Sequence, residues 1–334
     1  MIRMHIVTLG GGTGQATLLR GLSAYDCQVT AIVGVTDNGG HSGQLRDVLH
    51  IPQVGDIRQC LGALLDEQTV WGKLLRHRFS HGSLRGLSVG NLMLAALTEI
   101  HGSLHEAVTE ICTAADIVER VLPVSDGDTQ IAAELEDGRV VVGEWQIIQR
   151  QPRCAVTRLF LQPPVVAQPA VCDAIAQADL LVCCPGSLLT GILAVLLPSG
   201  VRDAIMASRA RCVYVCNLMT QPGQTDGFTA RQHLDLLRRY LGRQVDAVVL
   251  NNGPIPGTLL DLYAQHGSQP VINDLGQTTT AVYEADLVER PDAETVAAYV
   301  RPQGADMQVG LHLIRHDPVT LAAQIMALAL NGCA

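Results

Sequence analysis

Short apolar runs recur along the chain, each closing on a glycine- or asparagine-rich turn and each followed by a stretch with helical spacing. His5 to Leu9 is the first run. It enters Gly10-Gly11-Gly12-Thr13-Gly14, and a helix is predicted from about Ala16. Val29 to Val35 ends at Thr36-Asp37-Asn38-Gly39-Gly40. Asp56 stands where a helix N-cap is expected, with that helix running to about Leu65. Val70 to Phe79 and Asn91 to Ile100 read as further helices. The rhythm changes in the middle. Thr129 to Gln149 alternates apolar and polar positions around Asp137-Gly138, which predicts an antiparallel hairpin. Thr157 to Leu161 adds a strand, and Pro163, Pro164 and Pro169 lead back out of this β-rich insert, residues 125–165.

The strand–turn–helix rhythm then resumes. Asp179 to Cys183 is followed by Pro185-Gly186-Ser187 and a helix through Leu197. Cys212 to Cys216 is followed by the turn Asn217 to Gly223 and a helix over Thr229 to Leu241. Val245 to Leu250 ends at Asn251-Asn252-Gly253, and Val309 to Ile314 leads through Arg315-His316-Asp317 into a closing helix. Such alternation predicts an α/β fold, a doubly wound and mostly parallel sheet shared by residues 5–100 and 170–334. In such sheets ligands gather at the carboxyl ends of the strands, near a reversal of strand order. Every unusual polar or glycine-rich turn above follows a strand, so one crevice is expected to collect them.

Composition narrows the function. Of 334 residues, 48% are hydrophobic, 16% charged and 3% aromatic, so the core must be aliphatic, as in parallel sheets buried on both faces. A net charge of −9 without any basic run argues against nucleic acid as a partner. The longest apolar run, Leu188 to Leu197, is too short to cross a bilayer, and no hydrophobic signal segment fits before the first glycines. Ten cysteines are scattered without a CxxC pair. Cys212 and Cys216 would lie roughly 13 Å apart along one strand and cannot bridge. Reduced thiols and a cytoplasmic location are the expectation, with no membrane partner.

The turns carry the chemistry. Gly11, Gly12, Thr13 and Gly14 open a helix whose N–H groups can face a phosphate. The third glycine of a dinucleotide fingerprint is Gln15 here, and no Gly-Lys-Ser/Thr of a Walker loop follows. Asp37, at the end of the second strand, fits three roles: a ribose contact, a Mg²⁺ ligand through water, or a cap of its own turn. Asn38, Gly40 and Ser42 belong to the polar loop beside it. Asn91 offers an amide at a helix start, able to donate and accept. Gly186 and Ser187 form a second candidate anion cradle. No GxSxG elbow surrounds Ser187, and the eleven histidines form no HExxH array, so neither a nucleophile nor a zinc site is assigned. Asn217, Thr220 and Gln221 are expected in the same crevice, and Arg315 supplies the guanidinium that a diphosphate calls for.

Taken in order, these segments resemble the CofD/YvcK-like family, and within it the YvcK branch, often called gluconeogenesis factors. The matching residues are Gly10 to Gly14, Leu18-Leu19-Arg20-Gly21-Leu22, Thr30-Ala31-Ile32-Val33 and Asp37-Asn38-Gly39-Gly40. They continue with Gly55 to Leu61, Gly90-Asn91-Leu92, Pro185-Gly186-Ser187-Leu188 and Asn217 to Gly227. The resemblance spans nearly the whole chain and implies one domain, residues 1–334, with a Rossmann-like three-layer α/β/α core. It implies either of two activities. The CofD branch transfers a phospho-lactyl-type group from a guanosine diphosphate donor with Mg²⁺. The YvcK branch looks like a UDP-sugar binder tied to gluconeogenic growth, cell shape and cell-wall precursor supply.

Four departures bear on the choice. Asn38 replaces the second of two adjacent aspartates, His41 replaces a serine, Ser88-Val89 replaces a His-Ser-Leu-type approach to Gly90, and Cys184 replaces a glycine. All four bear more heavily on catalysis than on binding. The expectation is therefore a non-catalytic nucleotide-sugar-binding regulator, with a Mg²⁺-dependent CofD-type transferase as its rival and an NAD(P)-dependent enzyme as a third reading. The sugar, the protein partners and the oligomeric state, a homo-oligomer included, stay open.

Overall fold

A computed structural model describes residues 3–290 and 313–330. The first unit runs β1 (His5–Gly10), α1 (Gly12–Leu22), β2 (Gln28–Val33), α2 (Gly40–Leu49), α3 (Gly55–Ala63), α4 (Val70–Arg76), α5 (Val89–His101), α6 (Leu104–Ala114) and β3 (Arg120–Pro123). The insert follows as β4 (Gln130–Leu135), β5 (Val140–Val142), α7 (Glu144–Gln149) and β6 (Val156–Gln162). The chain then continues through α8 (Pro169–Gln177), β7 (Leu180–Cys183), a π-turn (Leu188–Ile192) into α9 (Leu193–Val195), α10 (Val201–Ala207) and β8 (Arg211–Val215). It closes with α11 (Ala230–Leu241), β9 (Ala247–Asn251), α12 (Gly257–Gln265), β10 (Ala281–Ala285) and α13 (Pro318–Leu330).

Seven strands form one sheet in the order β10-β9-β8-β7-β1-β2-β3, and every pairing in it is parallel. Residues 5–100 and the stretch beyond 170 share it, as the alternation requires. The central strands are aliphatic and buried along their length, Leu180-Leu181-Val182-Cys183 being typical. Helices flank the sheet, with α1 packed against α3 and α13, and α10 against α8 and α11. Side-chain caps hold several helix starts: Ser88 and Ser103 accept from Asn91 and Glu106 N–H, and Thr229 with Gln232 forms a capping box. The nine cysteines among the described residues are all free thiols. No helix among the described residues is long and apolar enough to cross a membrane.

Local structure departs from the sequence expectation in several places. The hairpin around Asp137-Gly138 exists, but its second arm stops at Val142. Gly143 takes a φ of 101°, which ends the strand, and Glu144–Gln149 is a helix with Ile147 turned into the core. β6 pairs with β4 and completes a three-stranded antiparallel sheet. Asp56 is not a cap: Val54 holds that position and Asp56 lies inside the first turn of α3. The edge strands β3 and β10 have no long apolar run to betray them, since β3 has only four residues and β10 is partly exposed. The strand expected over Val309 to Ile314 lies mostly outside the described residues, and Leu313 and Ile314 are not in a strand.

Gln15, where a dinucleotide fingerprint has glycine, ties the first two strands together. Its buried amide donates to the Thr8 carbonyl, the Thr8 hydroxyl and the Ile32 carbonyl at 3.2, 3.0 and 3.1 Å. Restoring the fingerprint with Gln15→Gly strips these acceptors and places glycine in a helix. It is expected to destabilise the protein by roughly 2–4 kcal/mol. Chemical denaturation checks this, and a neutral result would mean that the buried amide braces nothing.

Candidate functional site

Strand order reverses between β1 and β7: from β1 the chain builds outward through β2 and β3, then crosses to β7 and builds the other way through β10. A crevice at the carboxyl end of a parallel sheet is expected at such a point. A cavity of about 870 Å³ lies there, lined by Gly10 to Gly14, Pro185 to Ser187, and the turn Asn217 to Pro222. Its volume falls within the roughly 300–1,000 Å³ of small-molecule and cofactor sites.

The turn after β1 is built by sterics. Gly12 has a φ of 62°, in the left-handed region, and a Cβ on Gly14 would lie 1.8 Å from the Pro185 carbonyl oxygen. The two strand-end turns are thus in backbone contact. Helix α1 begins at Gly12 with no side-chain cap and no acidic residue in its first turn. Its leading N–H groups and the positive end of its dipole therefore face the crevice, the arrangement that binds phosphate. Thr13 also lines the cavity, and its hydroxyl donates to Gln59 Oε1 at 3.1 Å.

The turn after β7 differs. Gly186 N–H donates to Asn217 Oδ1 at 3.0 Å, Leu188 N–H to Gln221 Oε1 at 3.4 Å and Thr190 N–H to Gln224 Oε1 at 3.4 Å. Amides from the β8 turn thus satisfy donors that a second cradle would present to a ligand. Asn217 also donates back to the Gly186 carbonyl, and Thr220 accepts from Gln269 N–H. Asn217, Thr220 and Gln221 line the cavity as expected, and they also brace its floor.

The β2 bank is acidic. Asp37 lines the cavity while Oδ1 accepts from Gly39 N–H at 2.7 Å and Oδ2 from Gln53 at 2.9 Å, so its turn-capping role is realised. Asn38 reaches across to the insert, accepting from Trp145 N–H and donating to Gln146. Glu144 accepts from the Thr190 hydroxyl at 2.6 Å. Burial, with Asp37 beside it, holds the Glu144 carboxyl well above the usual range. Asp56 lies against Gly11 and Gly12. Burial first, then the Asp37 charge, pushes its carboxyl up to about 8, against a smaller opposing pull from Arg58. Among the described residues, no group of three His, Cys, Asp or Glu side chains is arranged to hold a metal ion. The bank therefore does not fit a preformed Mg²⁺ cage.

Helix α7 of the insert roofs the crevice. Its start is held to the β2 bank through Asn38. Beyond its end, Arg150 donates to the Gly223 carbonyl and Arg153 pairs with Asp226 at 2.7 Å on the β8 bank. Trp145, Ile148 and Gln149 face the cavity from above. On the far bank the Tyr263 hydroxyl accepts from Leu313 and Ile314 N–H, setting the segment that carries Arg315 and His316 into the wall. Burial pushes His316 down to about 4, leaving its imidazole neutral at neutral pH.

Among the expected residues, Gly11, Gly12, Thr13, Gly14, Asp37, Gly186, Ser187, Asn217, Thr220, Gln221 and Arg315 share this cavity. Asn91 is buried at the start of α5, away from the lining. Gly40 and Ser42 fall in α2, whose backbone is described there while their side chains are not. Asp56, Glu144, Trp145, Tyr263 and His316 were not anticipated as lining. Only Asp56 had a local signal, its place in Gly55-Asp56-Ile57-Arg58, and a helix-cap reading absorbed it.

The family model described as 2-phospho-L-lactate transferase CofD matches residues 6–288. The chain belongs to the CofD family. Among its relatives is the gluconeogenesis factor of Bacillus subtilis, 41% identical over 81% of this chain and 86% of that protein. The gluconeogenesis factor of Halalkalibacterium halodurans is 40% identical over 89% and 95% respectively. A crystal structure of a UPF0052 family member from Bacillus halodurans superposes with a TM-score of 0.86 at 35% identity. That match covers 98% of this chain and 99% of the other. Within the CofD family, then, this chain stands beside proteins named gluconeogenesis factors.

The buried carboxyl of Asp56 yields a pH test. Its folded-state pKa lies above the unfolded value near 3.8, so the folded state binds the proton more tightly. Stability from this group is present at low pH and lost as pH rises from about 4 to about 8, by at most about 1.4 kcal/mol per unit. Asp56→Asn removes that loss. The melting temperature of the variant should gain on wild type steadily between pH 5 and 8, whereas parallel curves would show that Asp56 titrates normally.

Proposed function

We propose that the protein binds a nucleotide-diphosphate-linked sugar, a UDP-sugar, in this crevice. In that role it acts as a regulator of carbon metabolism, cell shape and cell-wall precursor supply rather than as a catalyst. The observation that carries the reading is the uncapped start of α1, opening on a nucleotide-sized cavity where the strand order reverses. The diphosphate lies against the N–H groups of Gly12, Thr13 and Gly14, and Arg315 adds the full positive charge that backbone dipoles lack. A neutral Asp56 beside Gly11 does not repel the phosphates and has a proton to donate to them. The kinship with gluconeogenesis factors supports the metabolic assignment.

The match to a phosphorus-transferring family keeps a second reading in view, turnover of a nucleotide diphosphate donor. Phosphorus NMR of such donors with Mg²⁺ separates the two: accumulating product would replace regulation by catalysis.

A thermal-shift panel of UDP-, GDP- and ADP-linked sugars, with and without Mg²⁺, tests the binding itself. A UDP-sugar at about 100 times its Kd should stabilise the fold by about 2.7 kcal/mol. No shift with any member would remove the proposal. Arg315→Ala should weaken the binding by roughly 1.5–3 kcal/mol, with partial recovery in Arg315→Lys, as read by calorimetry. Unchanged affinity in the alanine variant would leave Arg315 as ordinary surface.

A further inference from the structure

The crevice has two unlike ends. Its three carboxylates, Asp37, Asp56 and Glu144, lie on the β2 side, while Arg315 and His316 lie on the side of β8 to β10. Trp145 follows Glu144 directly, and its backbone N–H is fixed by Asn38, the neighbour of Asp37. Trp145 lines the cavity, yet it is 47% exposed in a chain with only two tryptophans. A large apolar ring held bare over a cavity gains by being covered, and the cavity beneath it is where a ligand would do so.

We propose that the acidic end takes the glycosyl ring of the nucleotide sugar, with the Trp145 indole stacked on its C–H face, and that the nucleobase points to the far bank. This rests on the nucleotide-sugar reading above and assigns the direction of the ligand within it. Hydrogen-bond polarity decides the direction. A pyranose offers a ring of hydroxyls that donate and accept, and the acidic end meets both: Asp37 accepts, while the Asp56 carboxyl, pushed up to about 8, has a proton to donate. Asp37 keeps some capacity for this, because its two oxygens have four lone pairs and its partners are three: Gly39, Gln53 and Glu144. A uracil edge presents two carbonyl acceptors around a single N–H, which the accepting oxygens of Asp37 would meet with like polarity. The opposite wall has no carboxyl among its described lining residues, and carries Thr220, Ser268 and the neutral imidazole of His316. Phosphates are drawn to the α1 turn, which lies between the two ends. The opposite placement, with ribose on Asp37 as in dinucleotide folds, would put the base under Trp145 instead.

Calorimetry with UDP-glucose and with UDP, on wild type, Trp145→Ala and Trp145→Phe, distinguishes these directions. Trp145→Ala should weaken UDP-glucose roughly five- to ten-fold, an aromatic stacking loss, with the effect on UDP below two-fold. Trp145→Phe should recover most of it. An equal loss for both ligands would place the base under the indole and overturn the inference, while leaving the nucleotide reading intact. Wild type binding neither ligand would remove both. Should the alanine variant fail to fold, Trp71→Phe leaves Trp145 as the sole tryptophan. Its emission should then shift with UDP-glucose and not with UDP, and a shift of equal size with UDP overturns the proposal.

Discussion

Gly14 and Pro185 approach so closely that no side chain fits between them, and the rest of the crevice depends on this contact. It joins the turn after β1 to the turn after β7, the two strands between which the sheet changes direction. Crossovers diverge from such a seam, so it opens at the carboxyl edge unless side chains fill it. Here the glycines keep it open on one side, and the short backbone contact keeps the two turns in register. Elements that hold the seam from below are correspondingly rigid: the Gln15 amide binds β1 to β2, and the Asn217 amide binds the β7 turn to the β8 turn.

Two strand-end turns of similar sequence have therefore separated in role. Both lead into helical structure and both offer backbone donors. The β7 turn spends its donors on Asn217, Gln221 and Gln224, amides that arrive from the next strand's turn. The β1 turn has no such neighbour, and its closest polar group is the Asp56 carboxyl. An ionised carboxylate at a helix start would occupy the anion position itself. A protonated one does not carry that charge, so the electrostatic preference of the α1 start is kept for a ligand.

The sheet was legible because its strands are continuous aliphatic runs that stop at glycines, and a buried parallel strand leaves that trace. β3 and β10 escaped because edge strands need no such run. Within the site, the glycine turns, Asp37 and Arg315 were legible from their place after apolar segments. The roles of Asn217 and Gln221 as braces were not, since an amide that caps a neighbouring turn has the same local sequence as one that meets a ligand. Glu144 and Trp145 gave no signal at all. They lie more than a hundred residues from Asp37, in an alternating segment that reads as a hairpin, and only Gly143 marks where the strand turns into the roof.

That roof is where the crevice can open. Its outer tethers, Asn38 with Gln146 and Arg153 with Asp226, are exposed, and exposed polar pairs contribute about 0–1 kcal/mol each, while Glu144 with Thr190 and Arg150 with the Gly223 carbonyl are partly buried. Below it lie seven hydrogen-bonded parallel strands and a seam closed by backbone contact, which give way only with the fold. Of the parts that enclose the crevice, α7 is thus the one held to both banks by side-chain contacts rather than by sheet hydrogen bonds. A ligand lying under α7 and touching both banks would add contacts that the exposed tethers cannot, and would hold the insert to the sheet. On the proposed binding, the attachment of the insert would be weakest with the crevice empty and strongest with the sugar end filled.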